Sequence, residues 1–313
     1  ARRAEGAAHE GARRLSPEDP AAAGRHLVYL GTPELAVPPL RALVEAGHDV
    51  RLVVTRPDRR RGRGGATSPS PVKAAAERLG LTVAHELDAA VGAGAKLGVV
   101  VAYGRIVPAK VLDRLPMVNL HFSLLPRWRG AAPVERAILA GDEVTGVCVM
   151  ALERDLDTGP VYARTELAIA PGEHLGPLRD RLVTAGTRLL VDLLAGPLPE
   201  PEPQRGEPTY ADKVGPEDLH LTWSAPATVL ARIVRLDRAW TTWRGGRLLV
   251  LDAEVVEAGD AAAEPGTLDG DTVAAGGAAL RLLRVQPEGR APMPASEWLR
   301  GARAVTGEKL GDS

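Results

Sequence analysis

Apolar and polar positions follow two different patterns along residues 26–195. Short, continuous apolar runs at residues 26–30, 50–55 and 97–102 are typical of strands that are buried on both faces. Segments whose apolar residues are spaced as on one face of a helix separate these runs, the longest at residues 175–194. Strands that alternate with helices form βαβ units, so the pattern predicts an α/β fold with a doubly wound, mostly parallel, Rossmann-like sheet.

One predicted strand, at residues 117–123, carries polar side chains at every second position. These are Asn119, His121 and Ser123, and the strand stops before Pro126 because proline cannot continue a central strand. Polar groups are costly to bury without partners. Open α/β sheets bind ligands beyond the carboxyl ends of their strands. The pattern therefore indicates a functional site at the end of this strand.

The pattern of apolar and polar residues changes after residue 195. Residues 196–208 are rich in proline and predict an extended linker. Short alternating runs at residues 240–244, 247–256, 265–268 and 279–286 then predict a small antiparallel, OB-like β-barrel over residues 209–305. Residues 1–25 lack apolar periodicity, so we expect a disordered extension there. No secretory signal and no apolar run long enough for a membrane span is recognisable, which favours a cytoplasmic location.

Composition and short motifs remove several classes of function. Lys and Arg total 39 and Asp and Glu total 40, so binding to nucleic acid would depend on a local basic patch. The single cysteine, Cys148, excludes an intramolecular disulfide framework and a cysteine zinc cluster. No His-Glu-x-x-His spacing occurs, so no metal is expected. The turn at residues 31–36 lacks the Gly-x-Gly-x-x-Gly fingerprint, which argues against a nicotinamide cofactor.

A local basic patch does occur in the loop at residues 56–65. Five arginines fall within eight residues there, namely Arg56, Arg59, Arg60, Arg61 and Arg63. A charge run of this kind is commonly a solvated surface loop, and that interpretation stays open. In a chain that is otherwise nearly neutral, mutual repulsion among the guanidinium groups favours an anionic partner, either phosphate or RNA.

The candidate chemistry centres on Asn119, His121 and Asp157. Asn119 and His121 share one face of their strand because they are two residues apart. A carboxylate is the natural third member since it orients an imidazole, and the candidates are Glu153, Asp155 and Asp157. Asp157 is favoured because it stands in a tight Asp-Thr-Gly turn before the next strand. The alternatives are that Asp157 only caps its own turn and that His121 is a core histidine.

No covalent nucleophile accompanies these three residues. Ser123 lacks the Gly-x-Ser-x-Gly context of a nucleophilic serine. Asn, His and Asp without a nucleophile suit the direct transfer of an activated acyl group to an amine. In that reaction Asn119 can donate to the developing oxyanion and His121 can donate a hydrogen bond or shuttle a proton.

The sequence resembles the formyltransferase family over residues 26–305. The resemblance is carried by Asn-Leu-His-Phe-Ser-Leu-Leu-Pro-Arg-Trp-Arg-Gly-Ala-Ala-Pro at residues 119–133 and by Leu-Asp-Thr-Gly-Pro at residues 156–160. It implies a formyltransferase catalytic domain at residues 26–195, followed by a tRNA-binding barrel. The implied donor is 10-formyltetrahydrofolate, and the implied acceptor is the α-amino group of methionine on initiator tRNA, as used in translation initiation.

The same resemblance assigns roles to individual residues. Asn119, His121 and Asp157 would be catalytic. The residues lining the folate site would be Ser123, Leu124, Leu125, Pro126, Val101, Ala102 and Tyr103. Those contacting tRNA would be Arg56, Arg59, Arg60, Arg61, Arg63 and Lys73.

Two other functions stay open on the sequence. A formyltransferase that acts on a small amine, such as an aminosugar nucleotide or a purine precursor, would share the catalytic trio. A non-catalytic RNA-binding protein would use the basic loop without the trio. We expect a monomer with no membrane partner.

Overall fold

The structure is a computed structural model that describes residues 24–60, 67–258 and 263–311, of which residues 59, 60 and 67 are described by their backbone only. Most of the predicted disordered extension, residues 1–23, lies outside the described residues. Backbone contacts divide the chain into two compact units. Unit 1 comprises Ala1–Ala131, Gly146–Leu167 and Arg181–Tyr210, and unit 2 comprises Ala132–Thr145, Ala168–Asp180 and Ala211–Ser313.

Strands and helices alternate through unit 1, and strands dominate the later part of the chain. The strands are β1 His26–Gly31, β2 Asp49–Val54, β3 Arg59–Arg60, β4 Thr67–Ser68, β5 Val83–Ala84, β6 Leu97–Val101, β7 Met117–His121, β8 Arg129–Gly130, β9 Val144–Ala151, β10 Val161–Ala168, β11 Tyr210–Ala211, β12 Ala239–Trp243, β13 Gly246–Val256, β14 Leu268–Asp269, β15 Thr272–Ala275, β16 Ala278–Pro287 and β17 Met293–Pro294. The helices are α1 Val37–Glu45, α2 Pro71–Arg78, α3 Ala89–Gly92, α4 Ala109–Leu112, α5 Pro133–Ala140, α6 Leu175–Leu194, α7 Ala227–Val234 and α8 Ala295–Ala302.

The central sheet has the strand order β10-β9-β7-β6-β1-β2-β5. Pairing is parallel from β7 through β6, β1 and β2 to β5, and β9 runs antiparallel to β7. The chain moves outward from β1 to β2 and β5, and then returns to the other side of β1 at β6. The carboxyl ends of β1 and β6 therefore form the topological switch point at which open α/β sheets bind ligands.

The inner strands are buried because their residues are apolar on both faces. Leu27 to Leu30 in β1 and Val99 in β6 are fully inaccessible to solvent. Gly31 ends β1 at a close backbone approach, since a Cβ at this position would lie 3.1 Å from the Val101 carbonyl oxygen and 2.9 Å from the Tyr29 ring. A side chain at position 31 would thus separate β1 from β6 at the switch point.

A six-stranded antiparallel sheet forms most of unit 2, with the order β12-β13-β16-β15-β14 and β17 paired to β16. Its two edges are linked through the end of the chain, because Leu310 bridges to Trp243 on β12 and Lys309 bridges to Thr267 beside β14. Leu230 of α7 and Trp298 of α8 are buried in the core that this closed sheet encloses. The predicted fold class, a mostly parallel α/β sheet followed by a small β-barrel, is confirmed.

The predicted elements differ from the observed ones mainly at their ends. Helix α6 has the predicted bounds, whereas β7 stops at His121, two residues earlier than the alternation suggested. The apolar run predicted as a strand at residues 265–268 contributes only its last residue to β14, and β15 was not predicted. No helix among the described residues is long and apolar enough to cross a bilayer.

Candidate active site

Strand β7 carries Asn119 and His121 to the carboxyl end of the sheet. It lies between β6 and β9, with Asn119 opposite Met150 and His121 opposite Cys148 on β9. His121 is 5% exposed, and Asn119 is half-buried. Among the described residues, the Asn119 side chain has no hydrogen-bond partner, so its amide is available to a ligand.

The imidazole of His121 is contacted at both nitrogens. Nε2 lies 2.9 Å from the Trp128 carbonyl oxygen, and because a carbonyl only accepts, Nε2 carries the proton in this contact. Nδ1 lies 3.7 Å from Oδ2 of Asp157, which is 7% exposed. This is an ion-pair distance that is longer than a hydrogen bond. Catalytic hydrogen bonds are often this long before substrate binds.

The Asp157 carboxylate is held by a neighbouring loop. Its Oδ2 accepts a hydrogen bond from the Gly130 amide at 2.8 Å. Its φ of +52° is unusual for a residue with a side chain, and a left-handed conformation costs roughly 1–2 kcal/mol. Strain of this kind tends to persist where the surroundings fix it and the site uses it. Gly130 and His121, which contact the carboxylate, both lie outside its turn, and this argues against the interpretation that Asp157 only caps that turn.

The loop after β7, predicted to line a folate site, is partly buried. The Ser123 hydroxyl is inaccessible and donates to the Arg127 carbonyl at 2.6 Å, which turns the chain and explains the early end of β7. Leu125 packs into a buried cluster with Cys148. Leu124 and Pro126 are half-buried. The part of this loop available to a ligand is therefore Leu124 and Pro126, with Ser123 acting inside the loop.

The other predicted folate segment, Val101 to Tyr103, follows β6 at the switch point. Val101 pairs with Leu120 of β7, so the two predicted folate segments begin at neighbouring strand ends. Ala102 is exposed with a φ of +46°, and the carbonyl of Tyr103 accepts from the Thr32 hydroxyl at 3.1 Å. Burial raises the pKa of the Tyr103 hydroxyl, so this group stays neutral.

The basic loop is described only at its ends. Arg56 is half-buried, with its guanidinium beside Gly104. The Lys73 ammonium donates to Asp58 at 2.7 Å, and this hydrogen bond raises the pKa of Lys73. Lys73 is therefore engaged within the protein. Of the other predicted tRNA contacts, the side chains of Arg59 and Arg60 and the whole of Arg61 and Arg63 lie outside the described residues.

Cys148 stands next to His121 across the sheet but is not suited to attack a substrate. It is fully buried, and burial raises the pKa of its thiol, which therefore stays protonated. Within the described parts of the chain, no group of three or more His, Cys, Asp or Glu side chains could hold a metal ion. The buried polar groups at this strand end are thus the histidine, the aspartate and the serine.

Sequence reasoning missed the contribution of residues 202–209, of which 202–208 were predicted only as part of the linker and Thr209 as the first residue of the barrel. The Gln204 side chain donates to the carbonyls of Asp157 and Gly159, each at 2.8 Å. Thr209 accepts from the Trp128 amide through its hydroxyl oxygen at 2.9 Å. A glutamine in a proline-rich, polar segment gives no pattern that would signal such a contact.

The sequence matches a known protein family. A family sequence model described as "Formyl transferase" matches residues 25–194, and a second one described as "Formyl transferase, C-terminal domain" matches residues 213–303. The first match covers more than half of the chain. The chain belongs to the formyl transferase family.

Relatives of the chain within this family carry a more specific name. The chain is 44% identical to the methionyl-tRNA formyltransferase of Jannaschia sp. (strain CCS1), over 91% of this chain and 99% of the relative. It is 46% identical to the methionyl-tRNA formyltransferase of Dinoroseobacter shibae, over 88% of this chain and 97% of the relative. A solved structure of HypX from Aquifex aeolicus in complex with tetrahydrofolic acid is 16% identical, with a TM-score of 0.61, over 92% of this chain and 49% of that one. At this identity, the structural likeness concerns the fold.

Proposed function

We propose that this protein transfers a formyl group from 10-formyltetrahydrofolate to the α-amino group of methionine on initiator Met-tRNA. The observation that carries the proposal is the buried His121–Asp157 pair at the end of β7, in a chain whose near full-length relatives are named methionyl-tRNA formyltransferase. A folate-derived formyl donor is the common substrate implied by the family. The product would serve translation initiation.

The reaction needs no covalent bond to the protein. The neutral amine nitrogen attacks the formyl carbon, a C–N bond forms, and the formyl oxygen becomes an oxyanion. When the tetrahedral intermediate collapses, the bond from the formyl carbon to the folate nitrogen breaks. The proton lost by the amine ends on that folate nitrogen, which leaves an N-formyl amide and tetrahydrofolate.

The side chains at the end of β7 suit these steps. Asn119 has an amide without a partner among the described residues and can donate to the oxyanion. Nε2 of His121, once it turns from the Trp128 carbonyl to the substrate, can donate to the same oxygen or relay the amine proton to the leaving nitrogen. Asp157 faces Nδ1 of His121 and stabilises the positive charge that the ring gains when it takes a proton. Positioning and oxyanion stabilisation would supply most of the rate enhancement.

The donor is proposed to bind outside the ends of β6 and β7. Three features support this: the topological switch point beside β6, the exposed Ala102, and the half-buried Leu124 and Pro126 after β7. An apolar wall with a few polar groups is typical of small-molecule sites. The buried Ser123 and Leu125 would shape this wall from behind.

The acceptor is proposed to be held by the basic loop and by the C-terminal barrel. Arg56, Arg59, Arg60, Arg61 and Arg63 would contact the phosphates at the acceptor end of the tRNA. Lys73 is the weakest member of the predicted set because it already pairs with Asp58. Action as a monomer in the cytoplasm also belongs to the proposal.

A comparison of acceptors tests the proposed function. The purified protein is given 10-formyltetrahydrofolate together with initiator Met-tRNA, free methionine or an aminosugar nucleotide. We expect formylation of Met-tRNA with a kcat/KM at least about 100-fold above that for either small amine. A preference for the aminosugar nucleotide would contradict the proposal and support the small-amine alternative. RNA binding without transfer to any acceptor would support the non-catalytic alternative.

A further inference from the structure

The segment at residues 202–209 is fastened to the two loops that form the site, all within unit 1. Glu202 exchanges two backbone hydrogen bonds with Val161 at the start of β10, at 2.7 and 2.8 Å. The Thr209 carbonyl accepts from the Arg129 amide at 2.9 Å, and the Thr209 amide donates to the Pro126 carbonyl at 3.3 Å. Both ends of the segment are thus held, which fixes the position of Gln204 between them.

Gln204 uses its whole amide group in this position. The NH2 group donates one hydrogen to the Asp157 carbonyl and the other to the Gly159 carbonyl. The Oε1 atom accepts from Nε and Nη2 of Arg129, at 3.1 and 2.6 Å. The alternative amide orientation would direct hydrogens at a guanidinium and an oxygen at two carbonyls. The observed orientation is therefore the one that the hydrogen bonds require.

These contacts complete a closed ring through the catalytic aspartate. Gln204 binds the main chain of Asp157 on one side and the side chain of Arg129 on the other. Gly130, the residue after Arg129, donates its amide to the Asp157 carboxylate at 2.8 Å. The backbone and the carboxylate of Asp157 are thus fixed by one connected set of bonds. The left-handed backbone of Asp157, which is costly for this residue, is held by that set.

We propose that Gln204 is a positioning residue for formyl transfer, which holds the Asp157 carboxylate against His121. The inference rests on the proposed function, since it assigns Gln204 a part in that reaction. Gln204 touches no reacting atom and acts through Asp157. A displacement of about 1 Å in a catalytic group can cost about 10²-fold in rate. Loss of the hydrogen bonds of the Gln204 side chain should therefore lower kcat.

Three variants separate the possible roles of Gln204. Gln204→Ala removes all four hydrogen bonds of the side chain. Gln204→Glu keeps an acceptor for Arg129 but has no donor for the two carbonyls, so it should resemble Gln204→Ala. Gln286→Ala is the matched control, because Gln286 is the other glutamine of the chain and donates to the Arg290 carbonyl, away from Asp157.

The kinetic test is a double-mutant cycle with Asp157→Asn. We expect Gln204→Ala and Gln204→Glu to lower kcat by about 10- to 100-fold, with KM for both substrates within about threefold of wild type. In the Asp157→Asn background, Gln204→Ala should change kcat by less than about threefold, because the group it positions is already disabled. A kcat within about twofold of wild type would overturn the inference. So would an equal reduction in both backgrounds, which would indicate general structural damage.

A second measurement does not depend on activity. Hydrogen exchange at the Gly130 amide should be at least about tenfold faster in Gln204→Glu than in wild type, and unchanged in Gln286→Ala. Unchanged exchange in Gln204→Glu would overturn the inference even if the protein had no formyltransferase activity. If the wild-type protein has no activity but exchange is faster in the variant, the proposed function would be contradicted. The positioning of Asp157 by Gln204 would still be supported.

Discussion

Nδ1 of His121 and Oδ2 of Asp157 lie 3.7 Å apart, and both side chains are more than nine-tenths buried. The two residues come from different segments, β7 and the turn before β10. Each is fixed by a second contact, His121 by the Trp128 carbonyl and Asp157 by the Gly130 amide. A buried carboxylate beside a buried imidazole fixes the orientation of the ring at the end of β7.

Replacement of His121 should abolish most of the activity and leave the protein folded. We expect His121→Ala to lower kcat by about 10²- to 10⁴-fold, the usual contribution of general acid–base catalysis. Stability should fall by about 1–3 kcal/mol, because the Trp128 carbonyl loses its short hydrogen bond and keeps only the 3.5 Å contact with the Ser123 hydroxyl. Steady-state kinetics and thermal unfolding measure both effects. His26→Ala is the control, since His26 is exposed at the start of β1, and its activity should equal wild type. A fully active His121→Ala would remove His121 from the mechanism.

Addition of one methyl group at Gly159 should disturb the Asp157 turn. A Cβ at Gly159 would lie 1.9 Å from the Ala151 carbonyl oxygen, so the backbone must move. We expect Gly159→Ala to lower the free energy of unfolding by about 1–3 kcal/mol and to lower kcat as well. In Gly196→Ala the added atom meets open space, and both quantities should stay at wild-type values. Equal behaviour of the two variants in denaturant unfolding would contradict the close approach.

The ion pair between Arg136 and Asp218 should make part of the stability of unit 2 depend on pH. A hydrogen bond from Arg136 at 2.9 Å, and a second from the Gly215 amide, lower the pKa of Asp218. Since the folded-state pKa lies below the unfolded value of about 4, this stabilisation is present at neutral pH. It disappears as the pH falls through the lowered value.

Asp218→Asn should therefore lower Tm by about 1–3 °C at neutral pH. The difference in Tm from wild type should shrink as the pH falls below about 4. Thermal unfolding over a pH series from neutral to acid measures it, by calorimetry or circular dichroism. A difference in Tm that grows toward acid pH would contradict the conclusion that folding lowers the pKa of Asp218.

The basic loop should set the salt dependence of tRNA binding. Joint replacement of Arg59, Arg60, Arg61 and Arg63 by Ala should weaken binding of initiator Met-tRNA. The slope of log K against log salt should fall in magnitude by about 0.7–0.9 for each phosphate that the variant no longer neutralises. Filter binding at several salt concentrations gives the slope. Arg188→Ala, on the exposed face of α6, is the control and should keep the wild-type slope. An unchanged slope in the loop variant would favour a small-molecule acceptor.

The sequence predicted elements best where a single periodicity decides them. Helix α6 follows from apolar residues at helical spacing over residues 175–194, and β6 follows from a run of valines. Their burial is a consequence of the same side chains, so pattern and packing agree. The hairpin of β14 and β15 was missed because both strands are short and β15 is half alanine, which carries little strand signal.

The site was predictable only in part, because its geometry depends on contacts between distant segments. The shared face of Asn119 and His121 follows from strand periodicity. The approach of Asp157 to His121 required a choice among nearby acids. The contact between Gln204 and Asp157 spans 47 residues and follows from no local pattern. Such side-chain-to-backbone bonds are fixed by tertiary packing, which the segment's own composition does not reveal.

The most direct test of formyl transfer by this protein is a single-turnover experiment with the full chain in excess over initiator Met-tRNA and 10-formyltetrahydrofolate labelled in the formyl carbon. We expect the label to appear on the α-amino group of methionine, with one tetrahydrofolate released per formyl group transferred. We also expect a rate at least about 100-fold lower in His121→Ala. Absence of labelled formyl-methionyl-tRNA above the enzyme-free background, or an equal rate in the two proteins, would contradict the proposed function and the role of His121.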